Sequence, residues 1–239
     1  MSTHSNIVRT LGIEIVGGVY QPGDNLPLEA DLLQRFGVSR TALREAIKTL
    51  SAKGLLIAKT RVGTRVADIA SWNYFDPDVL SWRVEGGTDA AFRESLAEVR
   101  RALEPTAASL AAKRRSADDL AVLHACVEAM RSQTASAIGF ARADLDLHLA
   151  IGAASKNPMI RSMASVIETA LLEAFTLSPP VRSPELHRET VESHALIVER
   201  IEAGDAPGAA AAMLAVIDAG LTRIATETAL RSGDGAGST

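Results

Sequence analysis

The sequence contains one cysteine, Cys126, so no disulfide can form within the chain. It lies in the apolar run AVLHACVEAM (121–130) and reads as a small core residue rather than a nucleophile. Aromatic residues are few as well, at 4%, while alanine is abundant, a composition that favours helices packed closely through small side chains. MSTHSNIVRT lacks the basic segment and apolar stretch of a signal peptide. No uncharged apolar run approaches the ~20 residues needed to span a bilayer. A soluble, cytoplasmic protein is the expectation.

What is present is a hydrophobic content of 47%, that of a folded globular chain, and an uneven charge. Residues 1–68 hold nine Lys/Arg against six Asp/Glu, whereas residues 69–239 hold sixteen against twenty-three. A basic first quarter joined to an acidic remainder suggests one part that faces nucleic acid and another that does not. Apolar spacing predicts helices over 6–17, 28–36 and 40–53, then two short apolar runs (55–58 and 64–67) around Gly63 that read as a hairpin. SWNYFDPDVLSW (71–82) holds both tryptophans, so this linker is expected to pack on something. From 89 onward the pattern is helical: 89–113, 116–133, 136–155, 158–177, 184–203 and 206–228, with a disordered tail from 229 to 239. The expected organisation is a DNA-binding domain (1–70), a linker with a short helix (71–88) and a helical-bundle domain (89–228).

Two short helices joined at FGVS and followed by a hairpin describe a winged helix-turn-helix. Ser39 is the expected N-cap of the helix that would enter the major groove. Arg40, Thr41 and Arg44 lie in its first turns with Lys48 beyond, and arginine can grip guanine bidentately. Lys59, Thr60, Arg61 and Arg65 in the wing would track phosphates. In the second half, ADLDLHLAI (143–151) places Asp144 and His148 one helical turn apart among leucines. LDLHL alternates like a strand, but it lies within about twenty residues that lack proline, which favours a helix. The Asp144–His148 spacing suits a metal ion, a bound acid, or a buried pair that merely fixes helix register.

LPLEADLLQRFGVSRTALREAIKTLSAKGLLIAKTRVGTRV resembles the DNA-binding domain of GntR-family transcription regulators. EVRRALEPTAASLAA (98–112), DLDLHLAIGAASKNP (144–158) and ESHALIVERIEAGDAPGAAAAM (192–213) resemble the effector-binding FCD domain of that family's fatty-acid-regulator branch. The linker pattern is similar to sugar-acid repressors of the galactonate-operon type. The resemblance implies a mostly α protein, a winged helix-turn-helix followed by an all-α FCD bundle. It also implies DNA contacts from Ser39, Arg40, Thr41 and Arg44, and from Thr60, Arg61 and Gly63 at the wing tip. Ala30 stands where many members carry a DNA-contacting arginine, so their operators should not be transferred.

By the same resemblance Asp144, His148 and His194 match three of four metal ligands, and Val216 occupies the position of the fourth, usually a histidine. Three readings follow: a Zn²⁺ or Ni²⁺ site completed by water or effector, a metal-free pocket in which the histidines and Arg100 hold an acid, or a structural Asp–His pair. Arg100, Asp144, His148, Thr190 and His194 are the candidate effector residues. His187 is a possible replacement ligand, Asn157 is a helix cap, His124 is structural, and His4 is disordered. The implied function is a homodimeric repressor on a palindromic operator, released by a small hydroxy-carboxylate such as an aldonate, and not an enzyme. The rival is a metal-dependent hydrolase or lyase with an accessory helix-turn-helix, against which stands the lack of a second carboxylate spaced to act as general base. A constitutive DNA-binding protein with a purely dimerising bundle is a third reading.

Overall fold

The structure is a computed structural model that describes residues 3–59, 63–177 and 179–234. It divides into two compact units, Met1–Asp89 and Ala90–Thr239.

In the first unit, α1 (Thr3–Val16) buries Ile7, Val8, Leu11, Ile15 and Val16 along one stripe. His4 is part of this helix and reaches Thr49 at 3.2 Å, where disorder was expected. The turn between α2 (Glu29–Phe36) and α3 (Arg40–Ala52) needs a left-handed residue. Gly37 supplies it at φ +62° while its N–H donates to the Leu33 carbonyl. Ser39 caps α3 by accepting from the Ala42 N–H at 3.3 Å. Strands β1 (Leu56–Lys59) and β2 (Gly63–Val66) pair antiparallel, Leu56 opposite Val66 and Lys59 opposite Gly63. The 20–27 loop runs beside β2, with Leu26 N–H donating to the Thr64 carbonyl and Val66 N–H to the Asp24 carbonyl.

Residues 71–88 fold into this first unit rather than standing apart from it. Trp72, Val79 and Trp82 are buried in the same core as Leu11, Leu43 and Leu50. Asp76 caps α4 (Pro77–Glu85), and Lys53, just past α3, lies 2.8 Å from both Asp76 and Asp78. The Trp82 ring sits so close to α1 that a Cβ on Gly12 would lie 2.3 Å from it.

The second unit is all helix: α5 (Ala90–Arg114), α6 (Ala117–Ser132), α7 (Ala137–Ala154), α8 (Pro158–Arg161), α9 (Ala164–Leu177), α10 (Pro184–Glu202) and α11 (Ala206–Asp234). Ser116, Ser136, Asn157 and Ser183 cap α6, α7, α8 and α10. Ala107, Ala108, Ala111 and Ala112 of α5 and Ala209 and Ala212 of α11 are buried in one core, where small side chains let helix backbones approach closely. Two boundaries differ from expectation. The segment 158–177 is broken at Ser162–Met163, where the Ser162 hydroxyl bonds back to the Pro158 carbonyl. Helix α11 continues to Asp234 instead of ending at 228, and residues 235–239 of the expected tail lie outside the described residues. LDLHL lies within α7, helical as its surroundings predict. The segment Ala206–Glu227 has the length and apolarity of a membrane span, yet it packs on α5 and α10 within the bundle.

Gly12→Ala should destabilise the first unit by about 1–3 kcal/mol, because the added methyl overpacks a rigid indole. In a Trp82→Leu background the same change should cost clearly less. Equal losses in both backgrounds, measured by urea unfolding, would show that the Gly12–Trp82 approach is not what constrains this position.

Candidate functional site

The site in the second unit is assembled from three helices. Arg100 and Glu104 are four residues apart on α5, Asp144 and His148 four apart on α7, and Thr190 and His194 four apart on α10, so each pair shares a face. All six are buried. Glu104 ties the group together: one carboxylate oxygen accepts from Arg100 Nε and the other bonds His148 Nδ1. Burial alone would raise the Glu104 carboxyl, but Arg100 and His148 outweigh it and hold it at about 2. His194 Nδ1 donates to the Thr190 carbonyl at 2.6 Å.

These two bonds decide which way the imidazoles present themselves. With each Nδ1 proton committed, the neutral ring carries a lone pair on Nε2. His148 Nε2 and His194 Nε2 both face Asp144, at 3.7 Å from Oδ2 and 2.9 Å from Oδ1. The second distance is short, but a deprotonated Nε2 has no hydrogen to give. His148 Nε2, His194 Nε2 and Asp144 Oδ2 are all buried without a hydrogen-bond partner. Three acceptors aimed at one another are unfavourable unless a cation or a donor lies between them. One donor atom from each residue falls within 4.8 Å of the others, so the set fits a divalent ion.

A cavity of about 70 Å³ opens on this cluster, lined by Arg93, Arg100, Asp144, His148 and His194 and by the α11 residues Val216, Gly220 and Arg223. Val216 borders the ligand cluster with a side chain that cannot coordinate. Among the candidate effector residues, Arg100, Asp144, His148 and His194 meet here. Thr190 does not line the cavity: its hydroxyl donates to the Leu186 carbonyl at 2.7 Å and its own carbonyl orients His194. His187 is held elsewhere, Nε2 3.1 Å from the Met130 carbonyl and its ring edge-on to Phe140. Arg101 faces away, paired with Asp218 and Glu94, and Asp146 is exposed. His124 sits on the surface beside Glu202. Cys126 is half-buried against the core, and burial pushes its thiol up. Three charged residues at the site, Arg93, Glu104 and Arg223, were not among the candidates. Glu104 was visible only as a carboxylate one turn from Arg100 in an apolar helix. Arg223 was visible only as a charge seven residues beyond Val216.

On the first unit, Ser39, Arg40, Thr41 and Arg44 lie exposed at the start of α3, and Arg40, Arg44 and Lys48 form one stripe along it. Arg40 and Arg44 approach the Glu29 carboxylate at 3.8 and 3.6 Å, loose pairs that a phosphate or base could replace at little cost. Gly63 begins β2 at φ +96°, exposed. Thr60 and Arg61 lie outside the described residues. Arg65 bonds the Gly23 carbonyl, so its guanidinium braces the 20–27 loop rather than reaching from the wing tip.

Because the Glu104 carboxyl falls from 4.5 to about 2 on folding, its ionised form stabilises the native state above pH 4.5. That contribution is lost as the pH drops from 4.5 towards 2. A Glu104→Gln variant should be less stable at neutral pH and show a flatter loss of stability across that window. Parallel acid-unfolding curves for the two proteins would contradict the buried-ionised assignment.

The FCD domain family matches residues 95–219, and the family of bacterial regulatory proteins of gntR type matches residues 3–66. The galactonate operon transcriptional repressor of Escherichia coli (strain K12) is 33% identical over 221 residues, 91% of this chain and 95% of that protein. A putative L-lactate dehydrogenase operon regulatory protein of the same organism is 32% identical over 206 residues, 82% of this chain and 76% of its own length. A solved structure titled for Lar, which controls the agr system of Listeria monocytogenes, shares the fold at TM-score 0.64 and 20% identity, covering 95% of this chain and 98% of its own. These families are regulators that bind DNA through the first domain and a small-molecule effector through the second, and they are not enzymes. The chain therefore belongs to the GntR family of bacterial transcription regulators, with a helix-turn-helix domain followed by an FCD domain.

Proposed function

We propose that this regulator is a cytoplasmic repressor of sugar-acid catabolism that leaves its operator when a small hydroxy-carboxylate, an aldonate such as galactonate, occupies the α5/α7/α10/α11 cavity. The observation that carries the reading is the convergence of Asp144, His148, His194 and Arg100 on one cavity. Arg100 commits Nε to Glu104, which leaves its terminal nitrogens for a planar carboxylate. Two relatives are named for operons of galactonate and of L-lactate dehydrogenase. Galactonate and lactate both carry a hydroxyl next to a carboxylate, which supports a hydroxy acid as the ligand class here.

Asp144, His148 and His194 would hold Zn²⁺ or Ni²⁺, and such an ion supplies a Lewis-acid anchor for carboxylate and hydroxyl oxygens. Val216 leaves the remaining coordination to water or to the effector. The protein's own part is positional: Glu104 and the Thr190 carbonyl hold both imidazoles in the tautomer that offers Nε2 inward. One winged helix reads one half-site, so a homodimer on palindromic DNA follows from symmetry. Ser39, Arg40, Thr41 and Arg44 would face bases and phosphates, with Thr60, Arg61 and Gly63 at the wing tip. An effector that binds better to the DNA-free arrangement lowers operator affinity by linkage.

The test is a gel-shift titration on DNA upstream of the chain's own gene. The protein alone should bind, and at least one sugar acid should release it. Binding that is indifferent to every acid would leave a constitutive DNA-binding protein and sink the proposal. Metal is checked separately. The purified protein should retain about one Zn²⁺ or Ni²⁺ per chain after dialysis, and His194→Ala should lose it. Dialysed wild-type protein that neither retains nor takes up either ion would make the site metal-free.

A further inference from the structure

Arg223 is a half-buried cation that the site as described leaves unused. It stands on the same face of α11 as Val216, seven residues further on, and lines the same cavity as Arg100 and Asp144. Its Nε is buried without a hydrogen-bond partner. Gly220, between Val216 and Arg223 on that face, puts no side chain into the space. Burial lowers the Arg223 pKa, with the Asp144 carboxylate pulling the other way, and a guanidinium stays charged under those conditions.

The pairing of charges in the cavity points to what completes it. Arg100 and Arg223 border it, with Asp144 on its wall and Glu104 behind. Glu104 is already shared by Arg100 and His148, and Asp144 faces the Nε2 atoms of His194 and His148. A single ligand carboxylate can satisfy Arg100 and leaves Arg223 as it was. A ligand hydroxyl would accept the Arg223 Nε–H bond without balancing the charge, which in a poorly solvated cavity is the larger share of the interaction. A second anionic group does both.

We infer that Arg223 is a specificity residue of the effector cavity, and that the effector is a compact hydroxylated dicarboxylate whose second carboxylate Arg223 binds. This rests on the sugar-acid reading of the same cavity and narrows it from acids with one anionic end to acids with two.

Isothermal titration of the full-length protein with matched pairs of acids, gluconate against glucarate and galactonate against galactarate, tests it directly. At least one dicarboxylate should bind wild-type protein about tenfold or more tighter than its monocarboxylate partner, the scale of one charge-assisted hydrogen bond. Arg223→Gln should erase that preference by weakening the diacid, with the monoacid changed less than about threefold. Arg223→Lys, which keeps the charge, should retain part of it. Melting curves establish that both variants are folded. Equal binding of the two members of every pair, or an equal loss for both in Arg223→Gln, overturns the role of Arg223 while leaving the sugar-acid reading intact. Tighter binding of 6-phosphogluconate than of either diacid would make the second group a phosphate and overturn the dicarboxylate assignment. Failure of every acid to bind would remove the sugar-acid reading itself.

Discussion

The second unit depends on where two protons are kept. His148 and His194 each place Nδ1 against a fixed acceptor, the Glu104 carboxylate and the Thr190 carbonyl, and this alone turns both Nε2 lone pairs towards Asp144. Moving the His194 proton to Nε2 would give a hydrogen bond to Asp144 at 2.9 Å but would set a bare Nδ1 against the Thr190 carbonyl at 2.6 Å. As built, the network is satisfied at its rim and unsatisfied at its centre. Buried polar groups left in that state destabilise the fold, so the arrangement makes physical sense only if something else completes it. Glu104 matters most because it bonds both Arg100 on α5 and His148 on α7. Removing one partner from such a buried charged chain strands the others, a loss of the order of 3–5 kcal/mol.

Much of this was legible in the sequence because helical spacing does the positioning. Arg100, Asp144, His148 and His194 were chosen from residue type, spacing and resemblance, and the fold brings them to one cavity. The recognition helix, its Ser39 cap and the glycine turn were equally readable, since each rests on local chemistry. What was not legible depends on the third dimension. Glu104 gave no local sign that it would cross to another helix, and the search for a second carboxylate passed over it. Thr190 stands at the right place on its helix, but its hydroxyl turns to the backbone, a rotamer outcome that spacing cannot foretell. The break at Ser162–Met163 likewise falls inside an otherwise helical pattern.

The segment 71–88 shows the same limit from the other side. Its composition said that it packs; its position between two domains suggested a connector. In the structure two indoles decide the matter, Trp72 donating Nε1–H to the Ala67 carbonyl at 3.1 Å and Trp82 lying against Gly12. Lys53, at the end of the recognition helix, is held by the first residues of α4 and lies 5.6 Å from the Trp82 ring. Any displacement of α4 therefore pulls directly on the end of α3. A connector fused to the reading head in this way can convey an effector signal as a rigid movement, with no need for the helix-turn-helix itself to rearrange.

The α11 face carries the last step. A histidine at position 216 would add a neutral donor to the three-residue cluster, whereas valine adds none, and two turns later the same face presents a guanidinium. Coordination capacity is lost at one end of the cavity and positive charge is present at the other. For a hydroxy acid of the proposed class this would shift discrimination away from the atoms facing the three-residue cluster, common to the whole class, and towards the far end of the molecule, where members of the class differ. Selectivity is a difference between affinities, and a half-buried guanidinium with an unsatisfied Nε–H penalises any ligand that leaves it so as well as rewarding one that does not. A family fold can thus keep its three-residue cluster while changing which acid it answers to, by altering a single helix face that the cluster does not use.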